Sequence, residues 1–173
     1  MKKLTMLIAA VVMMAGFTAK VNAQATENTA AAAKIVTPIA ISETSSLHFG
    51  TMAVLAGQGG TCVLSTAGER SATGGVNLSI QTPSASNAAY SVSGAVNTTY
   101  AITLPASITV SESVSSASMT INALKARTVS AAQDGLTGTL SGSGSDSFTV
   151  GGTLNVTAGQ TTGLYQGTFD VTV

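Results

Sequence analysis

Chemistry in this chain would have to come from very few side chains. His48 is the only histidine, so neither a histidine metal cluster nor a pair of imidazole bases can form. Its neighbours Leu47 and Phe49 are apolar, which places His48 on the opposite, solvated face of a short strand. Cys62 is the only cysteine, so no internal disulfide can form. A reactive or intermolecularly paired thiol is one reading of it. Its setting, Gly60-Thr61-Cys62-Val63-Leu64, favours the other, a small buried hydrophobe in a strand. The carboxylates Glu27, Glu43, Glu69, Glu112, Asp134, Asp146 and Asp170 are scattered. Nothing in their spacing sets up a glycosidase pair or a calcium loop.

The remaining motifs are equally sparse. There is no Gly-x-Ser-x-Gly nucleophile elbow. Gly135 to Gly152 is glycine-rich but lacks the Lys-Ser/Thr ending of a phosphate loop, and it reads as flexible hairpin loops. Sequons at Asn77, Asn97 and Asn155 are what chance produces in a Ser/Thr-rich chain. With no Trp, three Tyr and four Phe, no aromatic platform for sugars is apparent. The expectation is a protein that is not an enzyme, with no catalytic, cofactor-binding or metal site.

The elements that would carry any function are strands. From Gly163 to Val173, Tyr165, Gly167, Phe169, Val171 and Val173 alternate with Gln166, Thr168, Asp170 and Thr172. Side chains alternate faces along a strand, so this reads as one half-buried strand whose first set faces the core. Upstream, Ile35–Ser42 alternates Ile35, Thr37, Ile39 and Ile41; Pro38 lacks an amide donor, so that strand is expected at a sheet edge or switching between sheets. Further short strands are expected at Leu47–Gly50, Thr61–Thr66, Val76–Gln81, Ala89–Ser93 and Tyr100–Leu104. Ile108–Val110, Met119–Leu124, Ser147–Val150, Thr153–Val156 and Leu164–Val173 complete the set. Breaks such as Gly57–Gly60, Thr73–Gly75 and Ser141–Gly144 separate them. Ala30–Lys34 and Val129–Gln133 could each form a helical turn. The fold class implied is all-β, an antiparallel sandwich.

The amino terminus speaks to compartment. Met1-Lys2-Lys3 is basic, Leu4 to Ala19 is mostly apolar, and small-residue sites end at Ala23 and Ala25. This is the anatomy of a secretory signal peptide, since the run is shorter than the ~20 residues a spanning helix needs. The expected organisation is a signal peptide over 1–23, an Ala-rich extension over 24–34 and a sandwich over 35–173. Cleavage after Ala25 is the alternative boundary. Loss of Met1–Ala23 removes Lys2, Lys3 and Lys20 from seven basic residues and leaves all seven acidic ones, a net charge of −3. Such a surface has no basic footprint for nucleic acid or an anionic membrane. The mature protein is expected in the periplasm, at the cell surface or in the extracellular medium, with no membrane span.

An ordered series of short motifs carries a family resemblance. Pro38-Ile39-x-Ile41, Leu47-x-Phe49-Gly50, Gly60-Thr61, Gly75-Val76, Tyr90-x-Val92-x-Gly94 and Ile102-x-Leu104-Pro105 are followed by Val150-Gly151-Gly152-Thr153-Leu154-x-Val156. The series ends on Gly163-x-Tyr165-x-Gly167-x-Phe169-x-Val171-Thr172-Val173. Together they resemble the domain-of-unknown-function 4402 family, found in exported proteins of Gram-negative bacteria. More distantly, the ending is similar to spore coat protein U and chaperone–usher pilus subunits. That similarity implies an immunoglobulin-like sandwich left incomplete, whose open edge takes a donor strand from a neighbouring subunit or chaperone. Gln24–Lys34 offers mainly Ala, with only Ile35 and Val36 large beyond it. The donor is then another protein, or the sandwich closes on itself. The function implied is a structural or adhesive module of a surface appendage or matrix. The alternative is a stand-alone secreted sandwich that binds a glycan or protein through its loops.

Overall fold

The computed structural model describes residues 24–131 and 133–173. The expected signal peptide therefore lies outside the described residues. From Ile35 to Val173 the chain forms one compact unit; residues 24–39 are exposed and carry no strand. Among the described residues there is no helix. Twelve strands follow in order: β1 Ala40–Ser45, β2 Met52–Val54, β3 Gly60–Leu64, β4 Arg70–Gly74, β5 Val76–Leu78 and β6 Ala88–Ser93. β7 Thr99–Ala101, β8 Ser107–Glu112, β9 Ser118–Thr128, β10 Thr137–Thr139, β11 Ser145–Val156 and β12 Tyr165–Gln166 complete them. All strand pairs are antiparallel, and the fold is a β-sandwich-like assembly with a strongly curled main sheet.

That sheet runs β1-β6-β11-β9-β8-β12, and β3 joins β11 with β4 outside it. β11 is the spine. One edge pairs with β9 along most of its length. The other edge pairs first with β6, up to Val150↔Ala88, and then with β3, from Gly152↔Leu64. The change of partner falls at Gly151-Gly152, where the ladder with β9 also shifts register. A Cβ on Gly151 would run into the Leu64 carbonyl oxygen and stand 2.7 Å from the Ser65 carbonyl carbon. Only a residue without a side chain lets the end of β3 cross that closely.

The core divides at the same point. Phe148 and Val150 of β11 pack with Ala88, Tyr90, Val92, Tyr100, Ile102, Ala126 and Leu140. Leu154 and Val156 pack with Phe49, Cys62, Leu64, Val76, Ile108, Val110 and Ile121. The pair β7–β10 adds Tyr100 to the first cluster, and the pair β2–β5 adds Val76 to the second. Leu47, Leu124 and Phe169, each half-buried, pack against both clusters.

Several expectations need correction. Ile35–Ser42 is not one strand: β1 starts at Ala40, and Ile35 is 97% exposed. Pro38 lacks the N–H a ladder requires, so pairing begins only beyond it; β1 does lie at a sheet edge. Gly135–Gly152 is not loop throughout, because it contains β10 and two thirds of β11. Residues 30–34 carry no helical turn, and Val129 and Ser130 make a reverse turn. β2, β4 and β10 were not legible as strands. Arg70–Gly74 and Thr137–Thr139 lack apolar alternation because they sit at margins of the fold, where little of either strand is buried.

Candidate functional site

The carboxy-terminal segment keeps its alternation without being one continuous strand. Tyr165, Phe169, Val171 and Val173 are half-buried, and Gln166, Thr168, Asp170 and Thr172 are exposed. Ladder contact is confined to Tyr165↔Glu112 and Gln166↔Ser111 on β8, and to a bridge between Thr172 and Thr103. Between these points the segment crosses from one core cluster to the other: Tyr165 packs on the β8 side, Val171 and Val173 on the other, and Phe169 on both. Gly167 is exposed yet pressed onto β8, since a Cβ there would stand 2.5 Å from the Thr109 carbonyl oxygen. Its lack of a side chain serves that close approach to the backbone.

The packing yields a paired expectation. Phe169→Ala should lower stability by about 2–3 kcal/mol, below the ~3–5 typical of a fully buried Phe because the ring is only half-buried. Thr168→Ala, on the exposed face, should change it by under about 0.5 kcal/mol. Thermal melts of the two variants check the register; equal shifts would show that the inward face is misassigned.

Beside this segment lies an apolar groove of about 860 Å³. The sheet supplies Ile108 and Val110 from β8, Met119 and Ile121 from β9, and Leu154 and Val156 from β11. The Ser46–Val54 stretch, Pro83 and the Gln160–Gly167 stretch, with Phe169, supply the rest. No Asp, Glu, Lys or Arg is among its lining residues. Two strands that line it have an edge without a ladder partner among the described residues: β2 pairs with β5 alone, and β12 pairs with β8 alone at the end of the main sheet. Sequence reasoning picked out the carboxy-terminal wall and missed the β2 wall. Leu47 and Phe49 alternate, then Met52 and Val54 resume one position out of phase. Gly50, at φ 75°, turns the chain between them.

Polar side chains hold these walls. The Arg70 guanidinium donates to the Phe49 carbonyl at 2.9 Å, to Thr51 at 3.1 Å and to Ser79 at 2.7 Å, which ties β4 to the β2–β5 pair. The Glu112 carboxylate accepts from the Val114 N–H at 3.1 Å, the Ser115 N–H at 2.6 Å and the Ser115 hydroxyl at 2.7 Å. It closes the β8–β9 turn. These bonds, led by the Ser115 backbone N–H, pull its pKa below the usual 4.5. A depressed folded-state pKa adds stability that is complete above the unfolded pKa and disappears as pH falls through the folded one. Wild-type protein should therefore lose thermal stability below about pH 4.5 more steeply than Glu112→Gln, as thermal melts at stepped pH would show.

The other candidate chemistries are accounted for locally. His48 is half-buried and forms an isolated bridge with Ser86; its Nδ1 accepts the Gly50 N–H at 2.8 Å and braces the turn into β2. Cys62 is fully buried in the core, where desolvation pushes the thiol pKa up. A buried, protonated thiol is a poor nucleophile. Asp146 accepts from the Tyr100 hydroxyl at 2.9 Å and the Ser130 hydroxyl at 2.7 Å, and burial with that carboxylate raises the Tyr100 pKa. Among the described residues no group of three or more His, Cys, Asp or Glu side chains converges as metal ligands would. No helix there is long and apolar enough to cross a membrane.

Comparison with known proteins places the chain. The family model described as Domain of unknown function (DUF4402) matches residues 39–173. The chain belongs to the DUF4402 family. The matched span starts one residue before β1 and takes in every strand, the groove and both of its walls. No curated protein and no solved structure matches this DUF4402 chain significantly.

Proposed function

We propose that this DUF4402 domain is a secreted structural or adhesive module of a bacterial surface appendage or matrix. Its groove accepts an extended segment from a partner, either a neighbouring subunit or a chaperone. The observation that carries the reading is the groove: free of Asp, Glu, Lys and Arg, more apolar than polar, and lined by two strands with an open edge each. Backbone edges are satisfied by another backbone, and alternate side chains of an added strand fill the pockets between them. Each Val or Leu the guest buries contributes on the order of 1.5–3 kcal/mol. A charged residue at an inward position would lose its hydration with no counter-charge in the lining, which sets the guest's composition.

Hydrogen exchange on the mature protein tests this. The probe is a short synthetic peptide alternating valine and threonine, compared with one carrying lysine at the valine positions. The alternating peptide should slow exchange at Met52–Val54 and Gln166–Val171, and the lysine peptide should not. No protection, or equal protection by both, would overturn the reading. Protection of wild-type protein by glycans at the loops alone would instead favour a stand-alone ligand-binding sandwich.

A further inference from the structure

The segment that joins β11 to β12 is held unlike the rest of the fold. From Thr157 to Leu164 it makes one backbone turn bond among the described residues, from the Gln160 N–H to the Thr157 carbonyl at 3.3 Å. Its other ties are side-chain bonds centred on one phenol. The Tyr165 hydroxyl donates to the Thr161 carbonyl at 2.7 Å and accepts from the Gln160 Nε2 at 2.8 Å. The same Nε2 donates to the Ser118 carbonyl at 3.2 Å, at the start of β9. The Thr157 hydroxyl donates to the Gln160 Oε1 at 2.6 Å. Gln160 to Leu164 all line the groove.

We propose that residues 157–164 form a strap over one side of the groove, latched by the Tyr165 hydroxyl and the Gln160 amide, which releases to admit the guest. The proposal rests on the groove being a binding site. The strap can move without disturbing the core. Its residues are exposed except for half-buried Gln160. Gly159, at φ 74°, has nothing within 4 Å of a Cβ position, so the middle of the strap is uncrowded, whereas Thr157 and Ala158 before it lie against Gly59, whose Cβ would stand 3.0 Å from the Ala158 nitrogen. The other end is anchored, because Gly163 packs directly onto the Glu112 side chain, itself fixed in the β8–β9 turn. A segment anchored at both ends and held between them by side-chain bonds can lift at its middle, around Gly159 to Thr162. Local opening of that kind needs only the bonds of the strap to break, with the sheet intact. Tyr165 is a positioning residue in this scheme: its ring packs on the core cluster while its hydroxyl holds the strap.

Tyr165→Phe keeps the ring and removes both bonds to the hydroxyl. On the mature protein, exchange of the Gln160 amide, the one strap N–H with a backbone bond, should accelerate roughly tenfold, the order expected when an ordinary hydrogen bond is lost. Binding of the hydrophobic dye anilinonaphthalene sulfonate should rise with it, while exchange in β9 and β11 stays unchanged. Gln160→Ala, in the exposed loop, should reproduce both effects and decides the matter if Tyr165→Phe fails to fold. Unchanged strap exchange or unchanged dye binding in the folded variants would overturn the latch. If the strap opens and takes up dye while the alternating peptide never binds, the latch stands and the strand-accepting function falls. If the peptide binds wild-type and Tyr165→Phe at the same rate, the groove reading stands and the latch falls.

Discussion

Phe148→Ala should reduce unfolding free energy by about 3–5 kcal/mol, the range for deleting a fully buried Phe. Phe148 is 1% exposed and lies where three strands meet, paired with Tyr90 on β6 and Thr128 on β9. Its ring stacks on Tyr90, with centroids 5.0 Å apart and planes at 22°. Such pairs contribute roughly 0.5–1.5 kcal/mol beyond the area they bury. The strand neighbours on both sides are fixed by backbone ladders, so the cavity cannot close by a local shift, and the upper half of the range is expected. Ser147→Ala, one residue away on the exposed face, should stay within about 0.5 kcal/mol. Denaturant midpoints at unchanged m-value measure both. With about 5–15 kcal/mol in total for a typical domain and no disulfide, Phe148→Ala stands close to the limit of folding.

Gly151→Ala should be nearly as damaging although it adds a single methyl group. The new Cβ would meet the Leu64 carbonyl oxygen, the Ser65 carbonyl carbon at 2.7 Å and the Ser65 oxygen at 2.9 Å. All three are backbone atoms at the end of β3, and none can swing aside as a side chain tip would. Relief requires β3 to move off β11, which breaks the ladder from Gly152↔Leu64 onward and opens the core cluster around Leu154. Overpacking typically costs about 1–3 kcal/mol, and the upper end is expected here because the obstructing atoms are backbone. Gly142→Ala and Gly135→Ala, where nothing lies within 4 Å of the added atom, should be close to neutral. Chemical denaturation of the three variants checks the contrast, and a neutral Gly151→Ala would mean that β3 and β11 do not approach as described.

The faces of strands were legible because period-two alternation is a property of the chain itself. Tyr165, Phe169, Val171 and Val173 point inward as their spacing requires, and the same logic buries Val92 and Tyr90 in β6 and Ile108 and Val110 in β8. Cys62 between two strand-forming neighbours was legible for the same reason. Strand lengths were not. Ser147–Val150 and Thr153–Val156 read as two strands because Gly151-Gly152 carries a turn signal, yet β11 runs straight through. Those glycines serve a crossing chain, and nothing in residues 145–156 reports that chain's presence. Leu164–Val173 read as one strand, and the partner decided otherwise: β8 offers two residues to pair, after which the segment leaves it to bridge Thr103.

Alone, the sequence determined an all-β domain, the inward and outward sets on its better-patterned strands, the positions of most turns and the absence of a histidine or cysteine pair. Each follows from local chemistry: alternation, missing amide donors and residue identity. Tertiary structure alone decided that the core divides at Gly151, that Leu47–Val54 faces the carboxy-terminal segment across an uncharged groove, and that one tyrosine hydroxyl holds a strap beside it. The groove is assembled from stretches near residues 50, 110, 120, 155 and 165. Its existence depends on which backbone edges find partners, a pairing made across the whole fold and written in no single stretch of residues.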